Sequence, residues 1–118
     1  MISTSRSKYN ISKVRWRNIV FDSNAEAARY EVLLRKEAAG AIDCLRYHKM
    51  RFVIGKNDKD RLTWYTPDFT MIENGLLVAE EVKGPRVRDW PIRAAAFIAL
   101  FPEWDLRTVE AGSKRKAR

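Results

Sequence analysis

Two short segments, Pro67-Asp68 and Glu81-Val82-Lys83, hold two carboxylates and an amine that a single turn can bring together. Between them Asn74-Gly75 is the strongest hairpin signal in the chain, since a two-residue type I′ turn needs positive φ at both central positions. Such a loop pairs Glu73 with Leu76, and the same register sets Ile72 against Leu77, Thr70 against Ala79 and Asp68 against Glu81. Directly opposed Cβ atoms lie about 4.5 to 5.5 Å apart, where like charges destabilise a sheet unless a cation sits between them. Lys83, two residues beyond Glu81, shares its face, and Glu80 points to the other. Hard oxygen ligands of this kind suit Mg²⁺ or Mn²⁺. A bound ion lowers the pKa of its water, and the neighbouring amine orients that water or stabilises charge on a phosphate. This is equipment for phosphodiester hydrolysis.

The elements that must position these groups are legible in outline. Lys13 to Phe21 alternates enough for a short strand or hairpin. Ser23 followed by Glu26 has the capping-box spacing, and it opens a helix expected from Asn24 to Ala39, ended by Gly40. Glu26 falls within the stripe of Ala27, Tyr30, Leu33 and Leu34 that must face the sheet, which makes it a third carboxylate for the site as readily as a cap. Glu37 lies on the same stripe with no evident task. Strand-like runs follow at 44–54, 62–72 and 76–83, with Gly55 to Arg61 as a polar loop. A second helix has Asp89 as cap, Pro91 in its first turn and Pro102 beyond its end, before a last strand from Trp104 to Val109. The expectation is an α/β fold of order αβββαβ, with a mixed central sheet and flanking helices, preceded by a short N-terminal hairpin.

Composition narrows the setting. At 118 residues and 46% hydrophobic content the chain suits one packed core rather than two domains. The organisation read from it is a basic arm over 1–12, a single domain over 13–110 and a basic tail over 111–118. Cys44 is the one cysteine, which excludes an internal disulfide and a zinc ribbon. No apolar run is long enough to span a membrane, so a cytoplasmic protein of a bacterium or a phage-infected host cell is expected. The net charge of +8 is unevenly spread. Arg6, Lys8, Lys13, Arg15 and Arg17 precede any acid, and Lys114, Arg115, Lys116 and Arg118 close the chain, leaving a nearly neutral body. Basic ends around a neutral centre are the distribution of a protein that grips phosphates, although solubilising ends would look the same.

Pro67-Asp68 followed by Glu81-Val82-Lys83 resembles the PD-(D/E)XK nuclease superfamily. With Lys8-Tyr9-Asn10, Phe21-Asp22-Ser23 and Glu26, and Glu80-Glu81-Val82-Lys83-Gly84, the chain is similar to a small phage-associated branch related to Holliday-junction resolvases, over roughly residues 8 to 109. The resemblance implies a restriction-endonuclease-like core, with Asp68 and Glu81 as ligands of Mg²⁺ or Mn²⁺, Lys83 as catalytic lysine and Glu26 as an accessory ligand and catalytic group. Where relatives tend to carry a Gln after the first helix, this chain has Tyr47-His48-Lys49. His48 is either its replacement or a surface or packing residue.

Arg86 and Arg88, just past the catalytic strand, can clamp a phosphate or simply solvate a loop; Lys8, Lys13, Lys114, Arg115 and Lys116 are the further nucleic-acid contacts. Trp16, Trp64 and Tyr65 can stack on unpaired bases, or serve as core. The second helix has two apolar stripes, and the one carrying Trp90, Phe97, Ile98 and Phe101 is the expected homodimer contact, unless the arms or last strand cover it. The leading expectation is a metal-dependent endonuclease acting on branched DNA as a homodimer. The alternatives are a non-catalytic nucleic-acid-binding protein with structural carboxylates, and an interaction protein that docks through its second helix. DNA affinity measured by anisotropy is expected to fall steeply with salt; a flat profile would favour the interaction protein.

Overall fold

The computed structural model describes residues 13–83 and 90–110. A short hairpin comes first, β1 (Val14–Trp16) and β2 (Ile19–Phe21), joined through Arg17 and Asn18. Both turn residues have positive φ, 54° and 63°, as a type I′ turn requires. Helix α1 (Asn24–Ala38) follows, with Ser23 Oγ accepting from the Glu26 N–H at 3.1 Å. Ala39 closes the helix and Gly40 turns the chain at φ +85°.

The next two expected strands are each broken. The 44–54 run divides into β3 (Asp43–Tyr47) and β4 (Phe52–Lys56), and the 62–72 run into β5 (Leu62–Tyr65) and β6 (Phe69–Glu73). His48, at φ +52°, turns the chain out of the first run. Pro67, which has no N–H to give a ladder, interrupts the second. The hairpin β4–β5 therefore pairs with itself, and Asn57 Oδ1 closes its loop by accepting from the N–H groups of Lys59 and Arg61 at 2.8 and 3.0 Å.

Strand β7 (Leu76–Lys83), helix α2 (Trp90–Leu100) and strand β8 (Trp104–Glu110) complete the described chain. The main sheet is mixed, in the order β3-β6-β7-β8, with β8 parallel to β7 and the other pairs antiparallel. Setting aside the two hairpins β1–β2 and β4–β5, the order is α1, β3, β6, β7, α2, β8, an α/β domain with a mixed sheet and two helices. The β6–β7 turn has the expected register, Glu73 with Leu76, Ile72 with Leu77, Thr70 with Ala79 and Phe69 with Glu80, around Asn74 and Gly75 at φ 53° and 78°.

Each face of this sheet carries its own core. Leu33 of α1 packs with Ile42, Leu45, Phe69, Met71, Val78 and Val82 on one side. On the other, Phe97 of α2 packs with Ala79 and with Phe52, Ile54 and Tyr65 of the inserted hairpin. This corrects the expected dimer contact: Phe97 is fully buried, and Trp90 and Phe101 are half-buried against the same cluster, so these side chains fill the chain's own core. The inserted hairpin supplies the apolar surface they cover. Ile98 stays exposed, as do Ile92 and Leu100.

Glu80 is buried on the α1 side, where Arg29 makes two hydrogen bonds to its carboxylate at 2.9 and 2.7 Å. Removing one member of such a pair strands a buried charge. Arg29→Met is expected to lose about 3 to 5 kcal/mol in urea unfolding, most of it recovered in Arg29→Met/Glu80→Leu.

Candidate active site

The expected Asp68 and Glu81 lie at the end of the sheet where β6 begins and β7 ends, while the residues whose ligand atoms converge within 4.8 Å are Asp22, Glu26 and His48. Asp68 immediately precedes β6, and the hairpin register carried one step further sets it against Glu81. Its side chain is 9% exposed. One oxygen, Oδ2, accepts from the Val82 N–H at 2.7 Å, so the carboxylate is anchored across the β6–β7 ladder. The other, Oδ1, lies 3.1 Å from His48 Nε2, and the Asp68 carbonyl accepts from the His48 N–H at 2.9 Å. His48 is thus tied to Asp68 by both backbone and ring.

Glu26 arrives from α1. Its N–H completes the cap with Ser23, while its carboxylate accepts from the Tyr47 hydroxyl at 2.6 Å. The residue serves as cap through its backbone and as part of the cluster through its side chain. Tyr47 in turn accepts from the Asp22 N–H at 3.2 Å, fixing the start of the helix against β3. His48 Nε2 is 3.7 Å from Glu26 Oε1, and His48 Nδ1 is 3.9 Å from Asp22 Oδ2. Asp22, Glu26 and His48 each offer a ligand atom within 4.8 Å of the other two. Glu81 accepts from the buried Tyr65 hydroxyl at 2.6 Å. Lys83, exposed at the end of β7, stands on the Glu81 face by the alternation of the strand.

These groups perturb one another. Burial, then the charge of Asp68, pushes the Glu81 carboxyl up to about 7, against the opposing hydrogen bond from Tyr65. Burial also raises Glu26 above the usual carboxylate range, opposed by Tyr47. For His48, burial lowers the pKa, but the hydrogen bond and charge of Asp68, with Glu26 and Asp22 behind it, raise it overall. Both tyrosine hydroxyls are pushed up, by burial first and then by the carboxylates they bond, so they act as donors. A carboxyl raised by burial and a neighbouring carboxylate, as Glu81 is, is one that a divalent cation would relieve. The donor set, mostly carboxylate oxygen with one imidazole, fits Mg²⁺ or Mn²⁺.

A family model described as a protein of unknown function, DUF1064, matches residues 6–116. The chain belongs to that family. No curated protein and no solved structure matches it. The DUF1064 match extends over the basic segments as well as the domain. Of the expected phosphate contacts, Lys13 is described: it is exposed, and its ammonium lies 2.8 Å from Asp22 Oδ1 at the rim of the cluster. Lys8, Arg86, Arg88, Lys114, Arg115 and Lys116, and the expected cap Asp89, lie outside the described residues.

Sequence reasoning names Asp22 and Tyr47 without giving them a site role, misses the hydroxyl of Tyr65, and leaves His48 undecided. Asp22 stands four residues before Glu26, a spacing that the helix start at Ser23 obscured. Sequence patterning assigns Tyr47 no role and leaves Tyr65 between base stacking and core; their rings are core, and only their hydroxyls reach the carboxylates. Glu37, without a task in the sequence, accepts from the Leu45 N–H at 3.1 Å, where the register of β3 shifts between Asp43 and Arg46. Trp64 is exposed with Arg51 stacked 4.1 Å from its ring centroid, and Trp16 packs edge-on against Tyr30 at 6.1 Å.

A raised folded-state pKa contributes stability that is fully present below the unfolded value and is lost as pH rises through the folded one. The metal-free protein is therefore expected to melt higher near pH 5 than near pH 8, with the Glu81 share falling as pH rises from the unfolded carboxylate value and gone above its folded value of about 7. Solvent at the exposed edge of the site keeps that share to on the order of 2 kcal/mol, or several degrees in Tm. Thermal unfolding in chelator checks this, and Glu81→Gln is expected to flatten much of the pH dependence.

Proposed function

We propose that this protein is a metal-dependent endonuclease that hydrolyses phosphodiester bonds in DNA. The observation that carries the reading is the convergence of Asp22, Glu26 and His48, each with a ligand atom within 4.8 Å of the other two, with Asp68 Oδ1 3.1 Å from His48 Nε2 and Glu81 on the strand beside it. A purely structural hairpin has no use for this crowding. Glu80 on the opposite face shows the contrasting treatment, a buried carboxylate neutralised by Arg29.

Asp68, Glu81 and Glu26 would hold Mg²⁺ or Mn²⁺, which supplies charge stabilisation and a more acidic water. Asp68 is oriented by the Val82 N–H and His48, Glu81 by Tyr65, and Glu26 by Tyr47. These partners leave each carboxylate further lone pairs for a cation. Lys83, on the Glu81 face, can place its ammonium against a phosphate oxygen as charge develops. The α1, β3, β6, β7, α2, β8 order supports, as part of the same proposal, a restriction-endonuclease-like core. Branched DNA is the proposed substrate class, on the resemblance to junction resolvases.

The test is cleavage of labelled single-stranded, duplex, flap and four-way-junction DNA in Mg²⁺ or Mn²⁺. Wild type is expected to cut, and Asp68→Asn and Lys83→Ala are each expected to slow cutting about a hundredfold or more. Salt-sensitive binding without cutting would replace the enzyme by a binding module.

A further inference from the structure

Beside the carboxylate cluster runs an open groove of about 500 Å³, between the β1–β2 hairpin and the end of β3. That volume is within the range of small-molecule sites. Its walls are of two kinds. His48, its ring stacked 4.0 Å from the core ring of Tyr47 and its side chain 31% exposed, supplies aromatic surface, and Val20, 45% exposed, supplies apolar surface. Arg46 and Lys49 supply positive charge, and Asn18, held in the hairpin turn at φ +63°, supplies an amide. Aromatic surface for a ring, cations for phosphate and an amide for a polar edge are the complement of a nucleotide. A purely apolar occupant would leave Arg46, Lys49 and Asn18 unused.

The groove and the carboxylates share side chains. Tyr47 lines the groove while its hydroxyl bonds Glu26, and His48 lines it while its ring bonds Asp68 at 3.1 Å. An occupant of the groove therefore touches side chains that are hydrogen-bonded to Glu26 and Asp68. We propose that this groove receives a single unpaired nucleotide of DNA adjoining the phosphate to be cut. This rests on the nuclease reading and adds a requirement to it. A base within a duplex is stacked and paired, and reaching such a groove costs a few kcal/mol unless the base is already unpaired. The groove thereby selects flaps, junction arms and single-stranded ends over continuous duplex, by a local rule rather than by overall DNA shape.

The experiment compares one labelled duplex in three forms at the cut position: fully paired, with an unpaired nucleotide, and with an unpaired abasic residue that keeps the phosphate. Wild type is expected to cut the unpaired form about tenfold or more faster than either other form, the range that base–aromatic stacking supports. Val20→Glu and Lys49→Glu, both at exposed positions, are expected to shrink that ratio to about threefold or less. Equal cutting of the three forms by wild type would overturn the groove and leave the nuclease reading intact. If nothing is cut, anisotropy of a short single-stranded oligonucleotide in Ca²⁺ decides separately. Affinity weakened by the abasic residue and by Val20→Glu supports the groove, and affinity indifferent to both overturns it.

Discussion

The pairing register of β6 with β7 is the constraint on which the rest of this structure depends. Because side chains alternate along a strand, the Asn74-Gly75 turn decides more than local pairing. It pairs Phe69 with Glu80 on one face and, carried one step further, sets Asp68 toward Glu81 on the other. A slip of one residue would turn Val78 and Val82 out of the α1 core and turn Glu81 into it. The apolar pattern of β7 penalises that slip heavily, so the hydrophobic core holds the carboxylates in place.

Adjacent glutamates on β7 then meet opposite fates. Glu80 faces α1 and is neutralised by the two-point contact of Arg29, which makes it part of the scaffold. Glu81 faces the inserted hairpin, where it accepts from the neutral hydroxyl of Tyr65 and has the Asp68 charge beside it. A low-dielectric setting amplifies both arrangements. One stabilises the fold, and the other stores repulsion that a cation would release. On the proposed reading, function occupies the face where Glu81 and Asp68 repel one another.

The inserted hairpin β4–β5 has a double role. It covers the α2 face of the sheet through Phe52, Ile54 and Tyr65, and it directs the Tyr65 hydroxyl onto Glu81. The same cover takes Trp90, Phe97 and Phe101 of α2 into the core, where a helix with two apolar stripes had suggested a second copy of the chain. Ile92, Ile98 and Leu100 keep the outer face of that helix apolar.

Local signals in the sequence determined what is local in the structure. Ser23 and Gly40 bounded α1, Asn74-Gly75 set a hairpin and its register, and the Pro67-Asp68 and Glu81-Val82-Lys83 segments located two carboxylates and an amine, because caps, turns and alternation act over a few residues. Tertiary structure decided the rest. Pro67 and His48 broke two apolar runs that composition alone presents as continuous, and the freed hairpin found its place by packing on α2. The gathering of Glu26, Asp22, Tyr47 and His48 around Asp68 joins residues up to 46 positions apart, from Asp22 to Asp68, through contacts between α1, β3 and β6. Residue types at those positions are ambiguous in sequence, since a core tyrosine and a site tyrosine differ only in where the hydroxyl ends, and that is settled by how the elements pack.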